Sequence, residues 1–136
     1  MAKVLYVDSD PERTGAVQAL FAGRGHVVVA AASAERAMLC ADREGDFEAV
    51  VVHLILPGVD GAELCRWLQR WSSLSGAPRI VFSVPGVKLK LDLGANLPRW
   101  LPADIYIRDI EDLQHLVDAV EWALDRGPGP SEHPQR

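Results

Sequence analysis

Apolar positions come in short runs separated by polar turns carrying glycine or proline, and the period switches between about two and about 3.6 residues along the chain. Lys3–Val7 is apolar and β-branched, which predicts a buried first strand. Ser9 or Asp10 is expected to cap a helix opened by Pro11, since proline at the first helical position gives up no hydrogen bond. That helix turns Val17, Leu20 and Phe21 inward and stops between Gly23 and Gly25. Val27–Ala31 predicts a second strand, Ser33 a cap for a helix over Ala34–Arg43, and Gly45 with Asp46 a turn into a third strand over 49–54. A loop over 57–61 leads to a third helix from about 62 to 71, and a fourth strand follows over 79–83. Residues 85–102 carry Pro85, Gly86, Gly94, Pro98 and Pro102, which disfavour one long helix. Ile105–Ile107 predicts a fifth strand. Asp109 is expected to cap a last helix over 110–126, with Leu113, Leu116, Val117, Val120 and Leu124 as its apolar stripe. Residues 127–136, GPGPSEHPQR, read as a disordered tail or linker stump, leaving 1–126 as the folded domain.

Regular alternation of strand and helix implies an α/β fold: a doubly wound, five-stranded parallel sheet in a three-layer sandwich. In such sheets chemistry gathers at the carboxyl ends of the strands. Those ends carry Asp8, Ser9 and Asp10; His53, Leu54 and Ile55; Ser83; and Arg108 with Asp109.

Composition narrows the function classes. The 136 residues suit one domain, and 49% hydrophobic content excludes a disordered chain. The longest apolar runs, 27–32 and 49–56, are strand-sized, so no membrane span is expected; the opening residues lead directly into a strand, so no signal peptide is expected either. A cytoplasmic protein follows. A net charge of −5 with scattered lysines and arginines argues against direct nucleic-acid binding. Cys40 and Cys65 lie far apart and outside any paired-ligand spacing, so neither zinc nor a disulfide is indicated.

The stretch Phe47-Glu-Ala-Val-Val-Val-His-Leu-Ile-Leu-Pro-Gly-Val-Asp-Gly61 resembles the third-strand signature of response-regulator receiver domains, with their flavodoxin-like fold. Val4-Leu-Tyr-Val-Asp-Ser-Asp-Pro11, Pro78-Arg-Ile-Val-Phe-Ser83 and Ala103-Asp-Ile-Tyr106 extend the likeness from about residue 3 to 126. The resemblance implies a five-part site: an acceptor aspartate, two acids that hold Mg²⁺ with it, a hydroxyl after strand four and a lysine after strand five. This chain departs from that pattern. The acceptor position is His53; Asp8 matches the first acid, but its neighbour is Ser9, with Asp10 one place on. Ser83 matches the hydroxyl, and an ungapped alignment puts Asp109 at the lysine position; a one-residue shift would put Arg108 there. An imidazole offers no carboxylate nucleophile, Mg²⁺ prefers oxygen ligands, and an aspartate in place of lysine repels phosphate. The expectation is therefore a pseudo-receiver that is not phosphorylated, is not an enzyme, holds no metal or cofactor, and works as a protein-interaction module in bacterial two-component signalling. A homodimer through the last helix is a further option.

In the same family a hydroxyl after strand four and an aromatic on strand five move together on activation; here they are Ser83 and Tyr106. Trp122 falls off the apolar stripe of the last helix, on the side of His115, Asp118 and Arg126, and Trp100 sits in the irregular stretch. Trp100, Tyr106, His115 and Trp122 are thus the expected partner surface. Trp67 and Trp71 fall on the core side of helix three. Two other readings compete. The vacated pocket around Asp8, His53 and Ser83 is the natural seat for a small ligand. His53, Ser83 and Asp8 also form the elements of a nucleophilic triad, though Ser83 lacks the G-x-S-x-G elbow.

Overall fold

In a computed structural model of the chain, residues 2–58, 61–68, 77–85 and 104–126 are described. The elements run β1 (Lys3–Val7), α1 (Pro11–Ala22), β2 (Val27–Ala31), α2 (Ala34–Arg43), β3 (Ala49–His53), α3 (Gly61–Leu68), β4 (Arg79–Phe82), β5 (Ile105–Ile107) and α4 (Gln114–Arg126). All pairings are parallel, and the sheet order is β2-β1-β3-β4-β5. The order reverses between β1 and β3, and the crevice beyond their carboxyl ends is where such sheets build sites.

The period of two along each strand divides the core. Val4 and Tyr6 of β1, Ala49 and Val51 of β3, and Ile80 and Phe82 of β4 pack with Val17 and Phe21 of α1 and Leu116, Val117 and Val120 of α4. Leu5, Val7, Val50, Val52 and Val81 pack the other way, against Ala34, Ala37 and Ala41 of α2 and Leu64, Cys65 and Leu68 of α3. All five residues of central β3 are buried, which explains its unbroken apolar run. Edge strand β2 buries only Ala31.

Most predicted boundaries hold, and the departures have local causes. Asp10, not Ser9, caps α1: its carboxylate accepts the Glu12 and Arg13 backbone N–H groups. Leu20 is half-buried, on the margin of the face that Val17 and Phe21 bury. The last helix starts at Gln114, four residues after the predicted Ile110, and Asp109 does not cap it. Asp109 has φ 52°, and its N–H is drawn to Ser83 Oγ while the Ile110 N–H bonds Ser83 O. The chain is thus tied back to the tip of β4 before α4 begins. Asp112 takes the turn instead, accepting from the Gln114 N–H through its side chain. The predicted helix end at 69–71, most of the stretch 85–102, Trp71, Trp100 and the tail 127–136 lie outside the described residues.

Gly61 fixes how α3 leaves the sheet. Its N–H donates to Leu54 O at 2.6 Å, and a Cβ there would stand 2.6 Å from His53 O and 2.9 Å from Leu54 Cα. Both obstacles are backbone, so only glycine lets α3 start this close to the tip of β3.

Candidate functional site

Register sets the site. Val7 pairs with Val52, so Asp8 and His53 follow side by side at the tips of β1 and β3; His53 pairs with Phe82, so Ser83 follows at the tip of β4. Alternation puts Tyr6 and Asp8 on one face, the face that α1 covers. Asp8, His53 and Ser83 are each no more than 4% exposed.

The Asp8 carboxylate is saturated. Oδ2 accepts from Arg13 Nε at 2.6 Å and from the Tyr6 hydroxyl at 2.6 Å; Oδ1 accepts from Arg13 Nη2 at 2.9 Å and from the Asp10 N–H at 3.0 Å. Two oxygens provide about four lone-pair positions, and four donors fill them. The Arg13 fork is a bidentate, charge-assisted pair with only 17% of its side chain exposed, and its Nη1 also reaches Asp10 at 3.3 Å. Burial alone would raise the Asp8 carboxyl; the bonds from Arg13, Tyr6 and the Asp10 N–H outweigh it and hold the group below its ordinary range. The same bonds raise the Arg13 guanidinium, through Asp8 first. Burial, and then the bond to Asp8, raise the Tyr6 phenol.

His53 is a buried neutral imidazole. Its Nδ1 lies 3.0 Å from Ile55 O; a carbonyl only accepts, so Nδ1 carries the proton. Nε2 therefore bears the lone pair, and it is buried without a hydrogen-bond partner among the described residues. Nδ1 is 3.9 Å from Asp8 Oδ1, and the ring sits 5.0 Å from that of Phe82, centroid to centroid. Desolvation pushes the imidazole below its ordinary value, against the pull of Asp8.

A second cluster forms at the tips of β4 and β5. Ser83 Oγ lies 3.2 Å from the Tyr106 hydroxyl and accepts the Asp109 N–H at 3.2 Å. The Asp109 carboxylate, 58% exposed, turns out toward Arg108. The predicted residues thus divide in two: Asp8, Asp10 and His53 meet under α1, and Ser83, Tyr106 and Asp109 meet beside them. Ser9 is exposed and outside both. No hydrogen bond joins His53 to Ser83 among the described residues, so the geometry of a nucleophilic triad is not formed.

On α4, His115 is exposed as expected. Trp122 is half-buried: it keeps some access to solvent but also packs against the core under α1 and α4. An indole on the flank of an apolar stripe is long enough to fold over the edge of the core. Trp67 packs on the other core, as predicted. Tyr6 and Arg13 were missed. Tyr6 was signalled by its spacing of two from Asp8. Arg13 was signalled by a cation in the first turn of a helix, where the dipole disfavours it unless a buried anion holds it.

No protein-family profile matches the chain. Transcriptional regulatory protein TcrA of Mycobacterium tuberculosis is 35% identical over 131 residues. The match takes in 94% of this chain and 48% of TcrA, so the chain spans about half the length of that relative. Among solved structures, a receiver domain protein from Methanospirillum hungatei superposes with a TM-score of 0.77 at 21% identity, covering 93% of this chain and 95% of that one. A putative response regulator from Chloroflexus aurantiacus gives 0.76 at 24%, covering 92% and 98%. The chemotaxis response regulator CheY4 of Vibrio cholerae gives 0.75 at 18%, covering 90% and 98%. The chain has the receiver fold. With the TcrA match, that fold supports a response-regulator receiver domain. The Mg²⁺ that phosphorylatable receivers use does not fit the residues of this chain: the lone pairs of Asp8 are taken, and the neighbouring positions hold Ser9 and a neutral imidazole. No helix among the described residues is long and apolar enough to cross a membrane.

Proposed function

We propose that this receiver is a phosphorylation-independent interaction module whose state is set by a protein partner. One observation carries the reading: the tip of β3 presents a buried, neutral His53, bonded to Ile55 O, where phosphoryl transfer needs a carboxylate. Asp109, at the position expected for the lysine, turns its carboxylate to solvent and offers only its N–H to Ser83. The hydroxyl–aromatic pair persists as a direct Ser83–Tyr106 contact, so the element that a partner would bias is retained. Asp8, His53 and Ser83 are buried, and donors from the chain itself take up the Asp8 carboxylate, which favours this reading over a small-ligand sensor. Tyr106 and His115 form the partner surface, in a cytoplasmic signalling pathway; the relative's name directs the search for partners to transcriptional control. The domain, at net charge −5, contacts regulators and not nucleic acid.

The test is incubation of the purified protein with acetyl phosphate and Mg²⁺, followed by intact mass and by amide NMR with beryllofluoride. No phosphate adduct and no shifts at residues 8, 53 and 83 are expected. A stable adduct at the β3 tip would overturn the reading.

A further inference from the structure

The four donors on Asp8 make a pattern that the substitution at position 53 does not by itself require. Losing the acceptor carboxylate removes one negative charge from the pocket, but it leaves Asp8 ionised and buried. A buried carboxylate needs a compensating charge, and in phosphorylatable receivers a divalent ion provides it. Here Arg13 reaches from the first turn of α1 and bonds both carboxylate oxygens with its guanidinium. It also contacts Asp10, the other acid at this corner, as a cation shared between two acids would.

We propose that Arg13 is a tethered cation occupying the seat of the divalent ion, so that the Asp8 pocket is closed to Mg²⁺. The inference rests on the phosphorylation-independent reading and deepens it: the domain has replaced its ion with a side chain, and ion concentration no longer bears on its state. Guanidinium suits the task better than ammonium, because its planar fork satisfies two oxygens at once and it stays charged when buried. Tyr6 completes the seat by donating to Oδ2. Arg13 acts here as a positioning residue; it makes no covalent chemistry.

Two experiments test this. In the wild-type chain the Arg13 Nε–H, held at 2.6 Å to a buried carboxylate, should give a protected NMR cross-peak that millimolar Mg²⁺ leaves unmoved. Displacement of that peak by Mg²⁺ would sink the proposal, even if the protein takes no phosphate, so its failure is separable from that of the function above. The second is Mn²⁺ titration by loss of the free-ion EPR signal. His53→Asp alone should bind Mn²⁺ scarcely better than wild type. His53→Asp with Arg13→Met should bind about tenfold more tightly or better, because the acid pair is then open. Equal affinity of those two variants would show that Arg13 does not hold the seat. Should the double variant fail to fold without Mn²⁺, a rise in its melting temperature on adding Mn²⁺, absent in wild type, supports the proposal; no rise counts against it.

Discussion

At the tips of β1 and β3 a buried carboxylate takes four donors, the shortest at 2.6 Å, two of them from a guanidinium. At the tips of β4 and β5 a neutral serine hydroxyl meets a tyrosine hydroxyl and one backbone N–H, both at 3.2 Å. Charge-assisted bonds of the first kind are about twice as strong as neutral ones, and 3.2 Å is at the long end for the second kind. The contrast puts the stronger bonds under α1 and the weaker ones beside β5. On the function proposed above, the acid pocket serves only as structure, whereas a surface read by partners has to shift at low cost.

The largest expected effect is at the rigid end. Arg13→Met leaves the Asp8 charge buried without its counter-ion, and breaking such a pair costs about 3–5 kcal/mol. Asp8→Asn in the same chain removes the orphaned charge and should recover much of that loss, giving a clear coupling in a double-mutant cycle read by urea unfolding. If Arg13→Met lowered stability by less than about 1 kcal/mol, as for an exposed pair, the two regions would not differ in the way described.

His53 offers a graded version of the same test. Its folded form resists protonation below its ordinary value of 6.5, chiefly through burial, so the unfolded chain takes up the proton first. Stability from this group is therefore intact above 6.5 and falls as pH drops below 6.5 toward the lowered folded value. Among the described residues, Asp8 and Asp10 favour protonation of the ring and Arg13 opposes it. His53→Leu should remove this part of the acid sensitivity, leaving a flatter profile than wild type between neutral pH and the range where carboxylates titrate. Parallel profiles of the two proteins in thermal melts would show that the ring does not sit neutral in the pocket. Asp8 acts at lower pH: its depressed carboxyl stabilises the fold above 3.8, and that contribution disappears as pH falls through the folded value.

How much of this was legible depends on whether a residue's role is local. β1, β2, α2 and β5 were readable to the residue, because β-branched runs and the Ser33 cap determine them within a few positions. The pocket positions Asp8, His53 and Ser83 followed from strand ends alone. The start of α4 did not, because the tie of Asp109 and Ile110 back to Ser83 depends on a residue 26 positions upstream. Arg13 left only a weak signal, a cation in the first turn of α1, for a related reason: its anion is identified only when the face of β1 and the entry angle of α1 are known together. The position of Trp122 could not be fixed from an angle on a helical wheel, since the wheel marks where a side chain leaves the helix and not how far a long ring folds back.

The smallest effects belong to the β4–β5 cluster, and they come as a pair. Tyr106→Phe removes one neutral bond at 3.2 Å and leaves Ser83 Oγ still accepting the Asp109 N–H, so it should lower stability by about 0.5–1.5 kcal/mol. Ser83→Ala strips both the Tyr106 hydroxyl and the Asp109 N–H of their partner and should cost more than Tyr106→Phe. Tyr106 is half-buried, so water can replace part of what its hydroxyl loses. The consequence for binding should run the other way from stability. Freed from Ser83, the ring at 106 has more room to reorient, so Tyr106→Phe should alter partner capture more than its stability loss suggests, while Arg13→Met, the costlier change, should alter capture only as far as it unfolds the domain. A calorimetric titration with an isolated partner separates the two. Equal loss of affinity per kcal/mol of lost stability in both variants would mean that the β5 side carries no special role in recognition.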